Sequence, residues 1–77
     1  MQINSRERVF EVEGYVVAVR CEQYGPGGSW VYTVNVLQDG VAVVPSRRSG
    51  DDVWPTYEEA ERQGYEVGQQ IVARLVV

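Results

Sequence analysis

Histidine is absent from the 77-residue chain. That removes the commonest general base, the commonest metal ligand and every Ser–His or Cys–His nucleophilic pair. The side chains left with chemical potential are few. Arg47 and Arg48 stand together ahead of Asp51 and Asp52, and guanidinium forks suit a phosphate or carboxylate, which makes the two arginines a candidate anion contact. The plainer account is a solvated loop in which Asp51 and Asp52 cancel the positive charge. Cys21 is the one cysteine, so the chain forms no internal disulfide and gathers no thiolate cluster. It shares the parity of Tyr15, Val17 and Val19, and reads as a small buried hydrophobe rather than a reactive thiol. Glu58, Glu59 and Glu61 could pair as acid and base, but they sit where a helix starts and are accounted for by capping and solvation. No Asp/Glu spacing matches a calcium loop. The expectation is therefore no catalytic, cofactor-binding or metal-ligating residue, and no enzymatic activity.

Two further patterns invite a functional reading. Gly25, Gly27 and Gly28 make a glycine-rich stretch, but no Walker lysine follows and the next segment is a strand, so a hairpin loop is the better account than a phosphate cradle. Trp30, Tyr32 and Trp54 could stack on bases as in single-stranded RNA binders. Trp30 and Tyr32 share a strand face with Val34 and Val36, however, which assigns them to the core.

The elements that must position these residues follow from period and punctuation. In residues 9–22 the apolar positions are even before Gly14 (Phe10, Val12) and odd after it (Tyr15, Val17, Val19, Cys21). Side chains alternate along a strand, so this switch predicts one long strand with a bulge or bend at Gly14. Trp30 to Gln38 is a second strand, and Asp39-Gly40 is a two-residue hairpin signal. A third strand follows from Val41 and stops at Pro45. The hairpin sets Gln38 opposite Val41, Leu37 opposite Ala42 and Val36 opposite Val43. One face then carries Trp30, Tyr32, Val34, Val36, Val41 and Val43 and should be the core.

Thr56-x-x-Glu59 is a capping box, and acids in the first turn suit the positive end of the helix dipole. Tyr57, Ala60, Gly64, Val67, Gly68, Ile71 and Leu75 then recur at helical spacing. Ala60, Gly64 and Gly68 are four apart, and each interior glycine costs about 1 kcal/mol relative to alanine. A close approach of the helix to the sheet, near Trp30 and Tyr32, would offset that; a helix from another subunit is the alternative. The predicted architecture is α+β: a three-stranded antiparallel meander (about 9–22, 30–38 and 41–45) with one C-terminal helix (about 57–75) on one face. It forms a single domain over residues 1–77, with 1–7 a flexible lead-in.

In such a unit the other sheet face leaves Val31, Leu37, Ala42 and Val44 uncovered, which marks a candidate interface. A homodimer through this face or through strand edges would also support the small core of so short a chain. Net charge is −4, which disfavours nucleic acid and anionic membrane as partners. No signal peptide or membrane span is evident, and a lone cysteine suits a reducing compartment, so the expected location is cytoplasmic.

The Gly14-Tyr15 strand start, the glycine-rich loop before Trp30, and Tyr57-Glu58-Glu59-Ala60 followed by Gly64 and Gly68 resemble a group of small uncharacterised bacterial proteins with a β-meander and a C-terminal helix. That resemblance implies a fold and no activity. A weaker likeness is to HicB-type antitoxin domains, which also place a helix beginning near Glu-Glu-Ala after strands, although their Pro-Asp-Leu-Pro-Gly segment has no counterpart. Double-stranded RNA-binding domains share three strands and a helix, but their first helix and lysine-rich helix start are missing. The leading expectation is a non-catalytic interaction or regulatory domain that self-associates. An antitoxin-like partner-binding protein is the alternative, and a nucleic-acid module comes third.

Overall fold

The computed structural model describes residues 3–24 and 27–76. Strands β1 (Ile3–Val12), β2 (Tyr15–Tyr24) and β3 (Trp30–Gln38) form an antiparallel meander, edged by the two-residue strands β4 (Val41–Ala42) and β5 (Arg47–Arg48). Helix α1 (Tyr57–Leu75) packs on one face. The meander-plus-helix architecture is the expected one.

The N-terminal half differs in one respect. The segment 9–22 is two strands, because Glu13-Gly14 is a two-residue turn that pairs Val12 with Tyr15. Both turn residues have positive φ, 53° and 83°, the geometry of a type I′ hairpin. Asp39-Gly40 repeats it at 54° and 80° and delivers the expected pairs Leu37–Ala42 and Gln38–Val41. Residues 3–7 of the expected flexible lead-in belong to β1, where Asn4 to Glu7 pair with Gln23 to Arg20. Of the glycine-rich turn, Gly25 and Pro26 lie outside the described residues.

The expected third strand is also interrupted. After Val43 donates its N–H to the Val36 carbonyl (3.0 Å), residues 44–46 bulge away, and β5 resumes pairing at Val34–Arg47 and Thr33–Arg48. The Trp30–Trp54 bridge closes the same edge, with N–H to carbonyl distances of 2.7 and 2.9 Å. Residues 41–54 are thus one broken edge strand along β3, not a short strand followed by a free loop.

Val17, Val19, Cys21, Trp30, Tyr32, Val34 and Val36 are buried beneath Ala60, Gly64, Gly68 and Val72 of the helix. Two expected core members are exposed: Val41 at 65% and Val43 at 39%. They stand at the edge beyond Val36, where the buried run of β3 ends. The helix begins at Thr56, whose hydroxyl accepts the Glu59 N–H at 3.2 Å. Its glycines permit close contact, as expected, but principally with the valines of β2. A Cβ added at Gly64 would stand 2.6 Å from Val19 Cγ1 and 3.4 Å from Tyr32 Cγ, and one at Gly68 would collide with Val17 Cγ1. The partner of the glycine stripe is the sheet of the same chain.

Candidate functional site

Side chains on β2 and β3 alternate between the helix side and the other face, so their register defines the uncovered surface. Four rows cross it: Glu11, Val16, Leu37 and Ala42; Val9, Ala18 and Asn35; Glu7, Arg20, Thr33 and Arg48; and Ser5, Glu22 and Val31. No other element of the described residues covers these rows. The first two rows are mainly apolar; Val9 is 62% exposed, and Val16, Ala18 and Leu37 are half-buried. The third row alternates acid, base, hydroxyl and base across the strands. Arg20 Nε donates to Ser5 Oγ at 3.1 Å and ties the third row to the fourth.

Of the four expected interface residues, Val31, Leu37 and Ala42 share this face, the first two half-buried and Ala42 exposed. Val44 does not. The bulge at 44–46 breaks the alternation, and Val44 packs against the core cluster on the helix side. Reasoning from β3 and the hairpin alone missed Val9, Val16 and Ala18, because the back face of β1 and β2 can be read only once the turn at Glu13-Gly14 is recognised.

Arg47 and Arg48 are separated as well. Neighbours on a strand point to opposite faces: Arg48 opposes Thr33 in the uncovered face, while Arg47 opposes Val34 on the helix side. One small anion cannot be held by both. Neither has a carboxylate within salt-bridge distance among the described residues, where the ion pair is Arg8–Glu61 at 3.3 Å. Arg47 lines a pocket of about 320 Å³ together with Val44, Pro45, Ser46, Ile71, Arg74 and Leu75.

The helix side carries aromatic and polar contacts that dock α1. Phe10 stacks with Tyr65 at 4.4 Å between centroids, Trp30 meets Tyr57 edge-on at 5.5 Å, and Tyr32 lies 5.1 Å from Trp54. Trp30 and Tyr32 are each only 9% exposed, so neither offers a free stacking face. The Arg6 guanidinium lies 4.9 Å over the Tyr57 ring, and the Tyr57 hydroxyl donates to Glu61. Burial and the Glu61 carboxylate push the Tyr57 phenol up to about 12. Burial, reinforced by Glu61, raises the Cys21 thiol to about 11, a protonated and inert state for a fully buried sulfur. Among the described residues no group of three or more His, Cys, Asp or Glu could hold a metal. No helix there is long and apolar enough to cross a membrane.

A family model described as a domain of unknown function, DUF6566, matches residues 5–76, nearly the whole chain. The chain belongs to the DUF6566 family. The match spans both hairpins and the helix, so the DUF6566 domain contains the uncovered face as well as the core. It gives no link to HicB-type antitoxin domains. No curated protein and no solved structure matches.

Proposed function

We propose that this DUF6566 domain is a non-catalytic interaction module that self-associates through its uncovered sheet face. The observation that carries this reading is the apolar half of that face, Val9, Val16, Ala18 and Leu37, which no element of the described chain covers. Charge supports a second copy as the occupant. A two-fold axis parallel to the strands, between β2 and β3, would lay β1 of one copy over the β4–β5 edge of the other. Glu7 would then oppose Arg48, and Val16 would oppose Leu37. Three strands of nine or ten residues, at roughly 4.8 Å and 3.3 Å spacing, offer about 500 Å² per copy with the two-residue edge strands adding little, just under the roughly 600–1,000 Å² per partner of stable interfaces. A reversible dimer is the expected outcome. A buried free thiol at Cys21 suits the cytoplasmic setting that belongs to this reading.

Sedimentation velocity across the micromolar range tests it. The parent chain should pass from monomer to dimer, Leu37→Glu should stay monomeric, and Arg48→Glu should weaken the dimer. Adding Glu7→Arg to Arg48→Glu should restore it, because the swap re-forms opposite-charge pairs. A parent chain that stays monomeric throughout, or a charge swap no better than Arg48→Glu, overturns the reading.

A further inference from the structure

We propose that the pocket between the 44–46 bulge and the last turns of α1 binds an aliphatic carboxylate. Its walls are apolar, formed by Val44 and Pro45 from the bulge and by Ile71 and Leu75 from the helix. Two arginines, Arg47 and Arg74, line it as well, and no acidic residue does. In a chain of net charge −4, this is a local reversal of sign. Arg74 lies in the last turn of α1, where its charge offsets the negative end of the helix dipole. That end amounts to roughly half an elementary charge, so two guanidiniums leave the pocket positive.

The volume of about 320 Å³ falls at the small end of ligand sites, which run from roughly 300 to 1,000 Å³. It suits a short acyl chain rather than a nucleotide or a cofactor. The chemistry asks for both ends of such a ligand. Exposed guanidiniums hold an anion weakly in water, and the half-buried Val44, Ile71 and Leu75 leave apolar surface that an anion without a tail would not cover. An aliphatic tail against the walls, with its carboxylate between Arg47 and Arg74, satisfies both. The broken edge strand makes the site: the bulge that turns Val44 toward the helix also sets Arg47 on the same side. Because the pocket lies on the helix side, it is independent of the sheet face proposed for self-association.

Amide NMR on the full chain, titrated in parallel with hexanoate, 1-hexanol and inorganic phosphate, tests the site. Hexanoate should give saturable shifts centred on Val44, Arg47, Ile71 and Leu75, with affinity above either control by roughly tenfold. The exposed pair Arg47→Gln/Arg74→Gln should lower hexanoate affinity to the level of 1-hexanol and leave the remaining spectrum in place. Equal binding of 1-hexanol, equal binding of phosphate, the absence of saturable shifts at these residues, or an unchanged double variant would each overturn the proposal. Dimerisation should be the same in both chains, so failure here is distinct from failure of the interface.

Discussion

Gly64 and Gly68 show how a single missing atom sets the spacing of two layers. An interior helical glycine costs about 1 kcal/mol of propensity relative to alanine, so glycine-to-alanine changes on an open helix face stabilise. Here the added Cβ at Gly64 would stand 2.6 Å from Val19 Cγ1, and the one at Gly68 would meet Val17. Valine has one stiff torsion and no flexible end to swing aside. Overpacking of this kind costs about 1–3 kcal/mol, which exceeds the gain in propensity. Gly68→Ala should therefore destabilise by about 1–2 kcal/mol in urea unfolding, and Gly64→Ala by somewhat less. Pairing Gly68→Ala with Val17→Ala should cost less than the sum of the two single changes, because the new methyl enters the space the valine leaves. Additive losses would show that the glycine is not kept by this contact.

At the scale of elements, the helix was legible almost to the residue. Thr56 and Glu59 fix its start, and the apolar stripe runs to Leu75. The Asp39-Gly40 hairpin and its register were legible for the same reason: a local turn residue forces the geometry. The first hairpin was not. The switch from even to odd apolar positions at Gly14 is what a two-residue turn produces, since Val12 and Tyr15 become opposite neighbours on one face. A bulge gives the same parity change, and glutamate is a poor herald of positive φ, so the pattern alone did not decide. The pairing of Arg47 and Arg48 with β3 was hidden by Pro45, which breaks the ladder only for a few residues. The interface candidates were half legible: Val31, Leu37 and Ala42 follow from β3 and its turn, whereas Val44 depends on the bulge. The Glu13 position carries a prediction of its own. A non-glycine residue at φ 53° is strained unless it is asparagine or aspartate. Glu13→Asn should stabilise the domain by about 0.5–1 kcal/mol, read as a rise of a few degrees in Tm. An unchanged or lowered Tm would mean that the turn tolerates glutamate without strain.

At the scale of the whole molecule, one helix must hold down one face of a sheet while the other face stays open. Stability is therefore concentrated along the helix–sheet seam, and Glu61 sits at a sensitive point in it. Its carboxylate pairs with Arg8, accepts the Tyr57 hydroxyl and contributes to the raised pKa of both Tyr57 and Cys21. Both groups are neutral when protonated, and both hold their protons more tightly in the folded chain. The unfolded chain releases them near the ordinary values of 9.0 for the thiol and 10.0 for the phenol, whereas the folded chain retains them to about 11 and about 12. Between those limits the native state binds more protons, so stability must fall as pH rises. The contribution is fully present below pH 9.0 and disappears through the folded values. Urea unfolding repeated at successive pH values should show this alkaline decline. Tyr57→Phe should shrink its upper part and leave the portions due to Cys21 and to Tyr32, whose phenol burial also raises. Glu61→Gln should shallow the whole slope, because it withdraws a negative charge that raises both groups, while the lost Arg8 pair costs little at 61% exposure of the arginine side chain. Stability that stays level across this alkaline range would show that neither proton is held by the seam.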